Sequence, residues 1–283
     1  MTTDVIITGT GNPAPAPDRA GPGVLVRCGE TSLQFDAGRS TVQRLAGAGV
    51  GPVGLTAFFA THHHSDHLTG LQDLLLTRWV KDRTDQAPPL PIVVPAGPCE
   101  SFVTTMLDPW AHDLEVRRAH TGRSTEPTFD LIAFPYPDRP SEVWSDGGVR
   151  VSAGQVRHEP VHPAVGYRIE TPDGVVAITG DTLVCDEVAT LADGADVLVY
   201  EAMRFAIIEA APAERHFILD YHADTRLIGR QAAEIGVSTL MLTHLIPPPS
   251  SEEDRQGFVD DIRAGGFDGE LVVCDDLDTV VLG

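Results

Sequence analysis

The chain has 283 residues, of which 42% are apolar, and 41 acidic side chains against 20 basic ones give a net charge of −21. That apolar fraction supports a sizeable core, enough for one large domain or two small ones. Lys81 is the only lysine and there is no basic run, so the charge argues against tight binding to nucleic acid or to an anionic membrane.

In chain order, short apolar and β-branched runs predict strands at 4–8, 23–27, 32–36 and 55–60. Further strands are expected at 92–95, 131–135, 149–156, 165–170, 175–179, 197–201, 239–242, 271–273 and 279–282. Helices are expected at 40–48, 68–81, 99–108, 223–236 and 252–264, and the proline-rich stretch 87–91 reads as a loop. No apolar run approaches the roughly 20 residues that a membrane span needs. The first residues offer no basic n-region and no long h-region, so no signal peptide is expected. Cys28, Cys99, Cys185 and Cys274 lie far apart without a Cys-x-x-Cys pair, which suits a reduced, cytoplasmic protein without disulfides. Alternating strands and helices, with neither repeats nor a flexible linker, predict a layered α/β arrangement. It is read as one domain over 1–283, built from two similar halves.

The densest chemistry lies in Thr61-His62-His63-His64-Ser65-Asp66-His67, between an expected strand and an expected helix. Read as His-x-His-x-Asp-His, it offers imidazole nitrogen and carboxylate oxygen, the ligand types that suit zinc. A loop between two rigid elements can aim such side chains into a cleft. His63 is expected to point away from its neighbours, because side chains alternate along an extended loop. Farther on, His158, Asp181 and His244 each follow the end of an apolar strand. Alone, each would read as a turn residue or a polar cap; together with the histidine cluster they read as further ligands. A carboxylate such as Asp181 can bridge two cations through its two oxygens.

On these residues the chain resembles the metallo-β-lactamase-fold hydrolase superfamily, and within it the ribonuclease Z and arylsulfatase-like branch. The likeness also runs through Thr8-Gly9-Thr10-Gly11-Asn12-Pro13 with Arg19, Phe35-Asp36-Ala37-Gly38, Gly166-Tyr167-Arg168-Ile169, Gly180-Asp181-Thr182, Glu201-Ala202, His222 and Leu242-Thr243-His244. The resemblance implies an αββα sandwich, two mixed sheets face to face with helices outside, and two zinc ions, with manganese or iron as alternatives. It assigns His62, His64 and His158 to one ion, Asp66, His67 and His244 to the other, and Asp181 to both. Asp36 would support the site from behind, or else cap a helix. The ions would lower the pKa of a shared water so that it attacks as hydroxide, with Asp66 orienting it. His222, partnered by Glu201, would protonate the leaving group, since a carboxylate partner raises imidazole basicity and fixes its tautomer.

Three departures from ribonuclease Z shape the expected substrate. Only 170–179 separate the Gly-Tyr-Arg-Ile strand from the Gly-Asp-Thr turn, too few for a tRNA-binding arm. Leu245-Ile246-Pro247-Pro248-Pro249 follows the last histidine where the family has a serine and an arginine that hold phosphate. The third departure is the acidic net charge. The expectation is therefore a hydrolase of a small ester-like molecule: a carboxylic, phosphoric or sulfuric ester, or a lactone. The alternatives are a phosphodiesterase or ribonuclease Z-like nuclease and an iron-dependent oxidoreductase of the same fold; a scaffold that keeps metals only for stability is a further rival. Trp79, Trp110, Phe134, Tyr136, Trp144 and Phe205 are candidate pocket residues, and Arg78 or Arg204 could meet an anionic group. A homodimer is compatible with the family, and nothing in the sequence fixes it.

Overall fold

The computed structural model describes residues 2–283. Its strands are β1 (Thr3–Gly9), β2 (Gly23–Cys28), β3 (Thr31–Phe35), β4 (Ala57–Phe59), β5 (Leu90–Pro95), β6 (Phe129–Phe134), β7 (Ser141–Asp146), β8 (Val149–Gln155), β9 (Val165–Thr171), β10 (Gly174–Ile178), β11 (Val197–Met203), β12 (Thr239–Ile246), β13 (Glu270–Val273) and β14 (Thr279–Leu282). The helices are α1 (Thr41–Gly47), α2 (Ser65–Leu68), α3 (Leu71–Lys81), α4 (Pro98–Thr105), α5 (Ala111–Thr121), α6 (Asp186–Leu191), α7 (Phe205–Glu209), α8 (Thr225–Ile235) and α9 (Glu252–Gly265).

The strands form two seven-stranded sheets, ordered β14-β1-β2-β3-β4-β5-β6 and β13-β12-β11-β10-β9-β8-β7. Both are mixed: β3 to β6 and β10 to β13 run parallel to their neighbours, and the remaining pairs are antiparallel. The last strand returns to pair with the first, so the C-terminal residues complete the N-terminal sheet.

Side-chain alternation explains the layering. One face of each sheet meets the other sheet: Val5, Ile7, Phe35 and Phe59 pack against Val151, Tyr167, Ile169 and Val199. The Phe35 and Phe59 rings stack at 4.7 Å between centroids, an offset aromatic pairing that adds to their area burial. The opposite faces are covered by helices. Leu45, Leu71, Leu74 and Val103 close over Leu25, Phe58 and Ile92, while Val188, Ile228, Phe258 and Ile262 close over Leu198, Tyr200 and Leu240. Burial on both faces is why β4 and β5 read as apolar runs and why β11 and β12 carry apolar segments, 197–200 and 240–242, that stop at Glu201 and Thr243 beside the site. The result is the expected αββα sandwich. Among the described residues, no helix is long and apolar enough to cross a membrane.

The helix expected over 68–81 is two helices, α2 and α3, with the break at Thr69 and Gly70. The break lets the backbone of Gly70 press on Gly38, where an added Cβ would lie 2.1 Å from the Gly38 carbonyl oxygen. The strand expected at 239–242 runs on to Ile246 and so carries His244 within it. Strand β7 and helices α5, α6 and α7 were not expected.

Candidate metal centre

The sequence-selected residues converge where β4, β8, β10 and β12 give way to loops or bulges. Ligand-type atoms of His62, His64, His158 and Asp181 all lie within 4.8 Å of one another, as do those of Asp66, His67 and His244. Asp181 belongs to both neighbourhoods: its Oδ2 is 3.8 Å from Nε2 of His62 and of His158 and 3.5 Å from Nε2 of His244. Its Oδ1 is 3.3 Å from Nε2 of His67, and Nε2 of His244 is 3.4 Å from Oδ2 of Asp66. His63 is exposed and sits edge-on to Phe102, outside the cluster.

Local backbone geometry aims these groups. Two non-glycine residues at the site have positive φ, Asp36 at 55° and His244 at 46°. That region is disfavoured for side chains with a Cβ and persists where the surroundings enforce it. At His244 the enforcement is a bulge: Glu201 pairs with Thr243 but Met203 pairs with Ile246, so β12 carries one extra residue there. Bulges of this kind re-aim a side chain. The Thr8–Pro13 stretch and Arg19 turn out to be structural supports for this segment. Thr10 O accepts from Leu245 N at 3.1 Å, Asn12 Nδ2 donates to Leu245 O at 2.7 Å, and Arg19 Nη1 donates to Thr10 Oγ1 at 2.7 Å.

A surrounding layer fixes the imidazole orientations. Asp36 accepts from Thr61 N and Thr61 Oγ1, both at 2.8 Å, and its Oδ2 lies 2.7 Å from His67 Nδ1. It therefore orients His67; the helix-cap alternative is not what the structure holds, since the residue flanking α1 is Ser40. His158 Nδ1 donates to Tyr221 O at 2.9 Å, leaving Nε2 facing the cluster. His64 turns Nδ1 inward, 3.2 Å from His158 Nε2. His222 Nδ1 lies 2.8 Å from Glu201 Oε1, which leaves Nε2 free, and an atom of His222 falls within 4.8 Å of Asp181 and His244.

The electrostatics fit a cation. His62 Nε2, His67 Nε2 and Asp181 Oδ1 are buried without a hydrogen-bond partner among the described residues. A buried polar atom left unpaired is costly, and three of them converging on one point are what a metal ion would satisfy. Burial, reinforced by the neighbouring imidazoles, holds His62 well below the usual histidine range; burial also lowers His64 and His158. Their lone pairs are therefore free for coordination. Burial opposes charge on Asp181, but His244, His67 and His62 hold it well below the carboxylate range. For His67, burial is outweighed by Asp181 and Asp36, which push it well above the usual value. Burial also opposes charge on His222, yet the Glu201 carboxylate and its hydrogen bond raise it to about 9. An ionised carboxylate beside His62, His64 and His158, which burial keeps from protonation, is a donor set for a divalent cation, and at His67 a bound cation would take the place of the proton that Asp181 and Asp36 favour.

The aromatic and arginine candidates lie elsewhere. Phe134 and Trp79 are buried, Trp144 and Tyr136 pack against the inter-sheet core, and Phe205 packs on Met203, Ile208 and Ile246. Trp110 is on the surface, donating to Gln72. Arg78 spends its guanidinium on the carbonyls of Pro52, Val53, Leu55 and Pro88, and Arg204 pairs with Asp261. The side chains that open onto the site are instead Arg215 and Phe217, from the 3-10 helix Ala213–Asp220 between α7 and α8, and Tyr221, which ends it. Phe217, 61% exposed, carries no periodic signal that could have selected it.

Comparison with known proteins agrees with this geometry. Residues 24–245 match the family described as Beta-lactamase superfamily domain, so fold and site together define a metal-dependent hydrolase of the metallo-β-lactamase fold. Ribonuclease Z of Mycobacterium bovis is 39% identical over 280 residues, covering 98% of this chain and 97% of the relative. Ribonuclease Z of Mycolicibacterium paratuberculosis is 38% identical over 279 residues with the same coverage. The chain belongs to the ribonuclease Z branch of that superfamily. The fold is shared with the metallo-beta-lactamase fold protein YhfI from Bacillus subtilis (TM-score 0.76, 22% identity, 99% of this chain and 100% of that one). It is likewise shared with the short form of human tRNase Z (TM-score 0.72, 22% identity, 98% of each chain).

These relatives do not support the expected small-molecule substrate. Net charge is a sum over the whole surface and does not fix the charge of one cleft. The short β9–β10 hairpin does not separate the chain from its relatives either, because a match over 97% of their length leaves little room for a long segment missing here.

Proposed function

We propose that this chain is a metal-dependent ribonuclease that hydrolyses phosphodiester bonds in RNA; its relatives are named Ribonuclease Z. The observation that carries the reading is the full-length similarity to proteins named Ribonuclease Z. In this reading His62, His64 and His158 hold one ion, Asp66, His67 and His244 hold a second, and Asp181 serves both. Zinc is the proposed metal, with manganese or iron as alternatives. Two bound divalent ions would make water nucleophilic near neutral pH and offset negative charge on the phosphate.

The chain's own groups do the rest. Asp36 keeps the proton of His67 on Nδ1, so that Nε2 presents a lone pair. The Tyr221 carbonyl does the same for His158. Asp66, held below the usual carboxylate range by His244 and His67 against the effect of burial, stays an acceptor and can orient the attacking water. His222 is protonated at neutral pH because Glu201 holds it there, and its Nε2 can give that proton to the departing oxygen. The reading includes a homodimer, which rests on family resemblance and is measured by light scattering.

Elemental analysis of the purified protein, with assays on precursor tRNA, unstructured RNA and p-nitrophenyl esters, tests the proposal. About two zinc per chain and chelator-sensitive RNA cleavage are expected. Turnover of carboxylic or sulfuric esters with intact RNA would restore the small-ester reading. Iron without any hydrolysis would favour an oxidoreductase.

A further inference from the structure

The centre opens onto two clefts of opposite character. One, of about 650 Å³, is lined by His64 and His158 together with Glu159 and Asp220. The other, of about 350 Å³, is lined by His222 together with Arg215, Asn12, Pro247 and Pro248. Phe217 and Tyr221 line both and form the ridge between them, their ring centroids 6.2 Å apart. The first cleft carries two carboxylates and no arginine; the second carries the Arg215 guanidinium and no carboxylate. Among the described residues Arg215 has no acidic partner, whereas Arg157 and Arg204 nearby in sequence to the site are tied to Glu187 and Asp261.

We propose that this asymmetry sets the polarity of the substrate: the RNA fragment that departs with a free hydroxyl lies in the cleft of Arg215, with Phe217 offering a face for base stacking. The fragment that keeps the phosphate exits past Glu159 and Asp220. The assignment rests on the reading of His222 as proton donor. In the reaction water adds its oxygen to phosphorus and the bond from phosphorus to the departing oxygen breaks. That oxygen takes the proton of His222 Nε2, and the proton released by the water returns through solvent to His222. The departing oxygen must therefore be on the side of His222, which is the side of Arg215. A guanidinium beside an exposed aromatic ring is the combination that holds a single strand without reading its sequence. The two carboxylates opposite repel a long polyanion, so the phosphate-bearing fragment is held weakly and leaves.

The test is binding of a short, unphosphorylated, fluorescently labelled oligoribonucleotide to the metal-loaded protein, followed by anisotropy over a range of salt. Arg215→Ala and Phe217→Leu are each expected to weaken binding roughly tenfold. Arg215→Ala should also lower the slope of log affinity against log salt by about 0.7, the loss of one single-strand phosphate contact. The double variant Glu159→Gln/Asp220→Asn should change affinity less than either. With cleavable RNA, lengthening the hydroxyl-side fragment should lower KM and lengthening the phosphate-side fragment should not. Wild-type protein that binds no oligoribonucleotide, an unchanged salt slope in Arg215→Ala, or a larger effect from the Glu159/Asp220 variant overturns the assignment. Binding needs no turnover, so a wild type that cleaves no RNA removes the proposed activity while the anisotropy still decides who holds the strand.

Discussion

Asp36 makes no direct contact with the proposed ions, yet replacing it should cost both stability and metal. Its carboxylate accepts from Thr61 N, Thr61 Oγ1 and His67 Nδ1, all within 2.8 Å. Asp36→Ala leaves the Thr61 N–H and the His67 Nδ1–H buried and unpaired. At roughly 1–3 kcal/mol for each orphaned group, the loss is on the order of 2–6 kcal/mol. Asp36→Asn is the sharper probe, because it preserves shape. Whichever way the amide turns, its NH₂ meets a donor, Thr61 N–H or His67 Nδ1–H. The strain is relieved if His67 moves its proton to Nε2, which is the nitrogen facing Asp181. Metal affinity at the group of Asp66, His67 and His244 should then fall about 10–100-fold, the usual effect of losing an orienting carboxylate. Competition with a chromophoric chelator measures the affinity, and urea unfolding in excess chelator measures the metal-free stability. Wild-type affinity for both ions in Asp36→Asn would refute the view that Asp36 sets the His67 tautomer.

Other substitutions separate the remaining roles. Asp181→Ala should release both ions, or one ion together with all activity, and elemental analysis with turnover reads this; full metal content and wild-type rate would sink the shared-ligand assignment. His222→Ala should keep the metals but slow cleavage by roughly 10²–10⁴-fold for poor leaving groups and much less for good ones. Equal losses across a leaving-group series would remove its role as acid. Because Glu201 raises His222 to about 9, activity that needs the protonated form should decline as pH rises through that value. Any stability from the charged pair is complete below the usual histidine value near 6.5 and is lost as pH climbs toward 9. Glu201→Gln should shift the alkaline limb of the rate profile downward, and an unmoved limb would contradict the pairing. Gly38→Ala would put a Cβ 2.4 Å from Gly21 C and 2.5 Å from Asp66 O. Thermal melting should show a loss of about 1–3 kcal/mol or more, with Asp66 displaced.

Most of the architecture was legible because buried strands announce themselves as apolar runs. The misses follow from polarity. Strand β7 lies at a sheet edge with four of its six side chains exposed, so only Val143 and Trp144 face the core and no alternation is visible. Helix α5 buries only Leu114 and has no apolar stripe to read. The candidate ligands were legible because four sit in one short run, His158 and Asp181 follow strand ends, and His244 follows the apolar part of β12. The hand of Asp36 on His67 was only half legible, since an Asp after a strand also suits a cap. Arg78 and Arg204 misled for a different reason. Sequence tells that a cation is present but not that carbonyls or Asp261 already occupy it.

The two hands of the centre come from opposite ends of the chain. Asp66 and His244 meet at 3.4 Å across a separation of 178 residues, one from helix α2 beyond the first sheet's β4 and the other from β12 of the second sheet. No fragment ending before His244 can bring these groups together. Capture at the group of Asp66, His67 and His244 is therefore a late event in the life of a newly made molecule, possible only after β12 has joined the sandwich. Once captured, the ions would bind the closed sandwich and not the open chain, so the free energy of coordination adds to that of keeping the two sheets together. A strong chelator should then act on this protein as a slow denaturant, freeing the halves it separates to exchange their inner-face amide protons with solvent.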